Sequence, residues 1–280
     1  MAPGTPGSVA SEPSPFAVLR GDYRAAAWVL LLALAGVTVA AWSFTLWMGG
    51  GMSSAMLVMM LSSGGWWGVG LFLLVWAAMM VAMMFPSAAP MAQEFVHLTK
   101  EREARHPWWT TRSLVFLGSY VLVWTAVGLA AAAIYLGLLP LVPSLSVSGT
   151  LGPALAGAVL LAAGVYQATP LKDVCAHGCR TPFSFLSAHW RSGNSGALRL
   201  GVRHAAYCVG CCWMLFAVLF AVGIMAVGWM ALISLLIFVE KLIAGGWARG
   251  VSLAIGGSVA SLGGAILLVP AFATWALGLG

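Results

Sequence analysis

An all-α, polytopic membrane bundle is the fold class this sequence predicts, and three observations predict it. Sixty-one per cent of the 280 residues are hydrophobic and only 7% are charged. Mean hydropathy is +0.98, outside the range of soluble globular chains. Apolar runs of about 20 residues recur, the length a helix needs to cross a ~30 Å hydrocarbon core, and they lack the period-two alternation of a membrane β-barrel.

Residues 1–24 are rich in Gly, Pro, Ser and Ala and read as a disordered tail, leaving 25–280 as one transmembrane domain. The run 25–46 is too long for the apolar segment of a cleaved signal peptide, so a retained first helix is expected. Residues 47–67 are full of Gly and Ser around a short methionine-rich centre. The ten residues of that centre, Met52 to Leu61, cannot cross a bilayer, which makes the segment an outer loop or an interfacial or re-entrant piece. Spans at 68–91, 114–138 and 151–168 follow, the first two separated by the charged stretch from Glu94 to Arg112. An uncharged loop with Pro140 and Pro143 precedes the fourth span.

The polar segment 170–204 is expected as a cytoplasmic-side loop. The apolar stretch 205–239 would make a helix of about 52 Å at ~1.5 Å per residue, too long for one span. Two helices with a tight turn near Gly223–Gly228 fit better. The seventh span is expected at 251–276. With seven spans, N-terminus inside and C-terminus outside, all 13 Lys and Arg fall on the inner side. Treating 205–239 as one helix would put Lys241 and Arg249 outside, against that rule. The expected location is the bacterial inner membrane, with the lipid bilayer as the first partner. The net charge of +6 is scattered between apolar runs and gives no nucleic-acid signal.

All five cysteines lie between Cys175 and Cys212, with three of the five histidines. Cys175 and Cys179 are separated by three residues, Cys208 and Cys211 by two. Both spacings suit paired thiolate ligands of one ion. On a helix His204, Cys208, Cys211 and Cys212 share a face, following i, i+4, i+7 and i+8. Soft thiolates select Cu(I), Zn(II) or an iron–sulfur cluster rather than Mg(II) or Ca(II). A buried cysteine can also be a small hydrophobe, and that reading stands beside the ligand reading. His177 and His204 are candidate ligands or supporting donors. Arg180 and Arg203 are either activating charges for the thiols or ordinary surface charge. His97, His106 and His189 read as solvated.

Ten of the fourteen methionines lie between Met48 and Met91. Met52, Met56, Met59 and Met60 would share one helical face, and in the second span Met79 aligns with Met83 and Met80 with Met84. A thioether binds Cu(I) without placing a charge in the membrane, whereas methionine also fills gaps between helices. A graded route from outer methionines through Met79, Met80, Met83 and Met84 to the thiols is one reading of this pattern.

Several runs resemble a known family. They are Trp76-Ala-Ala-Met-Met-Val-Ala-Met-Met-Phe-Pro86-Ser-Ala-Ala-Pro90-Met91 and Tyr166-Gln167-Ala-Thr169-Pro170-Leu171-Lys172, the latter followed by Cys175-x3-Cys179-Arg180. His204-x2-Tyr207-Cys208-Val-Gly210-Cys211-Cys212-Trp213 and Glu240-Lys241-Leu242 complete the set. This is similar to the bacterial DUF2182 group of predicted metal-binding integral membrane proteins, over about residues 70–245. Ala205 stands where that family usually has Gly, and Ala226 where Asn is common. The resemblance implies a metal-related membrane function with copper leading, and some members are linked to copper supply for copper enzymes.

The resulting expectation is a Cu(I)-binding membrane protein that transports the ion or delivers it to a copper-receiving enzyme or metallochaperone. Cys175, Cys179, Cys208, Cys211 and Cys212 would be ligands and the methionines transient stations. The chain has no ATP-binding loop, and no catalytic activity is expected. Glu240 beside Lys241 reads either as a coupling element or as an ion pair anchoring a helix end. One alternative is a structural zinc–thiolate site in a scaffold or assembly factor. Another is a membrane thiol-redox protein using Cys208–Cys211 or Cys211–Cys212.

Overall fold

Nine α-helices account for almost all of the described residues in the computed structural model, which describes residues 24–51, 59, 64–103, 109–138, 141 and 151–269. In chain order they are α1 (Arg24–Gly51), α2 (Gly65–Arg102), α3 (Trp109–Gly137), α4 (Gly152–Gln167), α5 (Pro170–Arg180), α6 (Pro182–His189), α7 (Gly193–Val222), α8 (Val227–Leu242) and α9 (Ala248–Leu268). A single 3₁₀ turn, Gly245–Trp247, leads into α9. No strand occurs among the described residues.

Five helical segments are long and apolar enough to cross a membrane: Ala25–Gly51, Gly65–Arg102, Trp109–Ile134, Gly193–Val222 and Gly245–Leu268. The pair α4 and α5, bent by 67°, makes a sixth if it is counted as one broken span. At ~1.5 Å per residue, the 16 residues of α8 rise only about 24 Å, short of a ~30 Å core. The chain is thus compatible with a membrane protein, and large apolar side chains such as Leu32, Leu114 and Leu122 face outward from it. The N-terminal tail, Met52, Met56, Met60, His106, Pro140, Pro143 and the end of the expected seventh span lie outside the described residues.

Three boundaries differ from the sequence reading. The second helix runs on to Arg102, past Pro86 and Pro90. Each proline removes a helical N–H and costs about 3 kcal/mol in an open helix. Here the surrounding residues from Val75 to Thr99 are largely buried, and packing outweighs that cost. The segment expected as a polar loop at 170–204 is helical. Thr169 caps α5 by accepting from the Lys172 N–H at 3.3 Å, Pro170 opens that helix, and Pro182 opens α6. The fifth apolar helix consequently starts at Gly193, and His204 lies in its interior rather than at its mouth.

The turn expected near Gly223–Gly228 is present. Gly223, at φ 114°, ends α7 in a conformation open to glycine, and α8 begins four residues later.

Glycines set the closest helix pair. Gly157 and Gly164 on α4 face Gly256 and Gly263 on α9, each pair seven residues apart and therefore on one face. A β-carbon at Gly164 would meet the Ala260 backbone N and the Gly256 carbonyl at 2.5 Å. Small residues at such positions let backbones approach where lipid provides no hydrophobic drive between helices. The central helix is α7, which packs on α3, α4, α5 and α8, while α2 is packed by α1, α3, α6 and α8. Trp76 of α2 lies over Gly128 of α3, donates to the Trp124 carbonyl at 2.8 Å and packs its ring, tilted by 35°, against Phe220 of α7.

Candidate metal centre

Cys208, Cys211 and Cys212 occupy one face of α7 in its buried middle, and their sulfur atoms all lie within 4.8 Å of one another. The Cys211 and Cys212 sulfurs are 3.1 Å apart, and the Cys211 thiol donates to the Cys208 carbonyl at 3.2 Å. Two sulfurs bonded to one ion at ~2.3 Å each stand no more than about 4.6 Å apart, so small rotamer changes would close this triad on a metal. All five cysteines are free.

Helix α5 brings a fourth sulfur. Cys179 is buried with its sulfur 4.0 Å from that of Cys211. Two glycines permit this approach. A β-carbon at Gly210 would stand 2.6 Å from the Cys175 sulfur, and one at Gly178 would stand 2.7 Å from the Tyr207 ring. Tyr166 of α4 donates to the Gly210 carbonyl at 2.6 Å and fixes the same turn of α7. Cys175 is half-buried against Gly210, outside the triad. His177 points outward on the exposed side of α5 and is not brought to the thiols.

His204, one turn before Cys208, is 2% exposed. Its ring stacks on Tyr120 at 5.4 Å and Phe116 at 6.1 Å and meets Phe185 edge-on. Neither ring nitrogen has a hydrogen-bond partner among the described residues. A buried imidazole without partners is costly, so its lone pair and N–H are left available to a ligand.

Met79, Met80, Met83 and Met84 are all 2% exposed or less and belong to the same apolar cluster as the three thiols of α7. Lys241 of α8 bridges α2 and α7. The Lys241 ammonium donates to the Cys208 sulfur at 2.9 Å and to the Ser87 hydroxyl at 3.2 Å, and Ser87 donates to the Met84 carbonyl at 2.9 Å. The Tyr120 hydroxyl, from α3, also meets the Cys208 sulfur, at 3.0 Å. Cys208 is therefore held by a cation and a phenol from two other helices.

This corrects the reading of Glu240 and Lys241 as a mutual ion pair. Neighbours in a helix point about 100° apart. Glu240 turns to α5, where Lys172 reaches its carboxylate at 2.7 Å and Arg180 its backbone carbonyl at 2.8 Å. Arg180 also donates to Ser252 of α9 at 2.9 Å, so it serves packing rather than the thiols. Arg203 is exposed and contributes nothing to them. His97 lies on α2 beside Glu94 and Glu101, and His189 meets the Phe185 carbonyl. A lysine and a tyrosine inside otherwise apolar helices were the available signals for Lys241 and Tyr120, but only helix packing names their partner.

The donor set suits a soft ion. Three buried sulfurs and a fourth within reach offer no oxygen ligand for a hard cation, and a nearby fixed cation offsets thiolate charge in a low-dielectric site.

Neither the curated proteins nor the solved structures gave a match. The model of the PpoB2 family, described as a copper chaperone, matches residues 73–266, which include the methionines of α2, the thiols of α5 and α7, and Lys241. The match supports the copper connection implied by the sequence resemblance without carrying the DUF2182 name. The chain belongs to the PpoB2 copper chaperone family.

Proposed function

We propose that this protein is a Cu(I) carrier of the bacterial inner membrane that hands the ion to a copper-receiving enzyme or metallochaperone and has no catalytic activity of its own. The observation that carries this reading is that two groups of soft donors share one buried cluster. The triad Cys208, Cys211 and Cys212 lies in the same packed core as Met79, Met80, Met83 and Met84, and Lys241 ties Cys208 to Ser87, which donates to the Met84 backbone carbonyl. Thioethers and thiolates both favour Cu(I), and the two groups offer ligands of graded strength along one path. Cys179 adds a ligand from α5, and His204 adds one at the other end of the triad.

In this reading α8 and the pair α4–α5 complete seven membrane passages, with the N-terminus inside and every Lys and Arg on the inner side. The ion moves downhill toward the partner that accepts it. Elemental analysis of the purified protein tests the proposal. Wild type should carry about one copper per chain, and Cys208→Ser/Cys211→Ser should carry none. Equal copper in the two, or no copper in either after growth with added copper, would refute it.

One observation favours a second reading. Cys179 reaches within 4.0 Å of Cys211 from a different helix, as a fourth ligand of a closed zinc site would. Zinc that copurifies at one equivalent and resists mild chelation would decide for that structural role; an exchangeable site decides for the carrier.

A further inference from the structure

A cleft of about 400 Å³ opens beside α6 and the first turns of α7, and its lining includes His189, Trp190, Arg191, Arg199, Leu200 and Arg203. Its charge has no counterpart among the described residues. Among the described residues Asp173 pairs with Arg249, Glu103 with Arg112, and Glu240 with Lys172 and Arg180. Arg191, Arg199 and Arg203 are exposed and pair with no carboxylate there, and all three line the same cleft. No acidic side chain lines it. Three exposed arginines lining one concavity, with no carboxylate among its lining residues, suit carboxylate or phosphate groups.

The cleft also lies over the metal centre. Leu200 in its wall is four residues before His204, and His204 is four residues before Cys208, on one face of α7. The His189 ring is 5.2 Å from Phe185, and Phe185 touches His204. Phe185 meets the buried imidazole edge-on and Leu200 stands one turn before it on α7, and neither imidazole nitrogen has a partner among the described residues.

We propose that this cleft docks the copper donor, and that the donor is a small anionic thiol compound carrying carboxylates and holding Cu(I). The inference rests on the carrier function above. A site of ~300–1,000 Å³ suits a small molecule, whereas a stable protein partner covers about 800 Å² on each side. Transfer is ligand exchange at constant oxidation state. A donor sulfur–copper bond breaks as a His204 nitrogen–copper bond forms, a Cys208 sulfur–copper bond then replaces the remaining donor bond, and the proton displaced from the Cys208 thiol passes to the released donor thiolate. His204 is the first protein ligand below the docked donor.

The test compares two copper sources on the full chain in nanodiscs of phosphatidylcholine. Cu(I) is supplied as its glutathione complex, which is anionic, or as its acetonitrile complex, whose ligands carry no charge. The variant Arg191→Gln/Arg199→Gln/Arg203→Gln should load about tenfold more slowly from the glutathione complex, and that rate should lose its salt dependence. Loading from the acetonitrile complex and final stoichiometry should stay at wild-type values, and the corresponding triple Lys variant should recover most of the rate. Equal slowing with both sources, or slowing with neither, overturns the docking role. So does a variant that loads normally yet loses copurifying anionic phospholipid, which would make the cleft a headgroup site. A wild type that takes copper from neither source overturns the carrier function itself.

Discussion

Lys241 places its ammonium 2.9 Å from the sulfur of Cys208, deep between α7 and α8, with no carboxylate partner of its own among the described hydrogen bonds and ion pairs. A buried cation without an anion is unfavourable unless the group beside it carries negative charge. Thiolate ligands of a bound Cu(I) would supply that charge. Replacing Lys241 with Met removes the cation at similar length. A charge-assisted hydrogen bond contributes about 1.5–3 kcal/mol, so Cu(I) affinity should fall by about 10- to 100-fold. Competition against a chromophoric Cu(I) chelator measures it; unchanged affinity would leave Lys241 as a packing residue.

The five cysteines should not be equivalent. Cys175→Ser should retain copper near one equivalent, because that sulfur lies outside the triad. Cys208→Ser, Cys211→Ser and Cys212→Ser should each lower it strongly, and Cys179→Ser should weaken binding without abolishing it. Metal analysis of the five single variants separates these outcomes. Loss confined to Cys175 would contradict the assignment.

Methionine substitutions must respect packing. Met79, Met80, Met83 and Met84 are fully buried, and truncating each to Ala would cost about 2–5 kcal/mol in cavity and lost contacts. Leucine conserves volume at less than about 1.5 kcal/mol each. The fourfold Met→Leu variant should therefore fold and keep its thiol-bound copper, while transfer across a proteoliposome membrane slows by about tenfold or more. Unchanged transfer would reduce the methionines to core filling.

Gly178 makes room for α5 against α7. A β-carbon there would stand 2.7 Å from the Tyr207 ring, so Gly178→Ala should push α5 outward and take Cys179 away from Cys211. Copper binding should weaken, while Gly228→Ala, with open space around it, should not affect the metal. The same chelator competition reports both.

Glu240 with Lys172 is a buried pair on which α5 and α8 meet. Removing one partner strands the other, at about 3–5 kcal/mol. Glu240→Gln should lower the midpoint of unfolding in detergent clearly, and Lys172→Met/Glu240→Leu should recover much of that loss. A double variant less stable than the single would show that the pair contributes net stability here.

Helical class, the five helices long and apolar enough to cross a membrane, the break at Gly223 and the grouping of the α7 thiols were legible from residues alone, whereas the expected count of seven spans exceeds the five or six that the helices offer. Each depends on local spacing: run length against bilayer thickness, glycine at a positive φ, and i, i+4, i+7 positions on one turn of helix. The capping signals at Thr169–Pro170 and Pro182 were also present, yet the polar composition of 170–204 masked them as a loop.

By itself the sequence determined a membrane-length helical chain with its soft donors concentrated in two helical stretches. Which donors meet was decided by tertiary packing. Cys179 comes within 4.0 Å of Cys211 while Cys175 stays against Gly210, outside the triad, because of how α5 lies on α7. Lys241 reaches Cys208 while its neighbour Glu240 reaches Lys172 because successive residues of a helix point about 100° apart. Spacing along a chain records which residues share a face; only the approach of a second helix gives that face a partner.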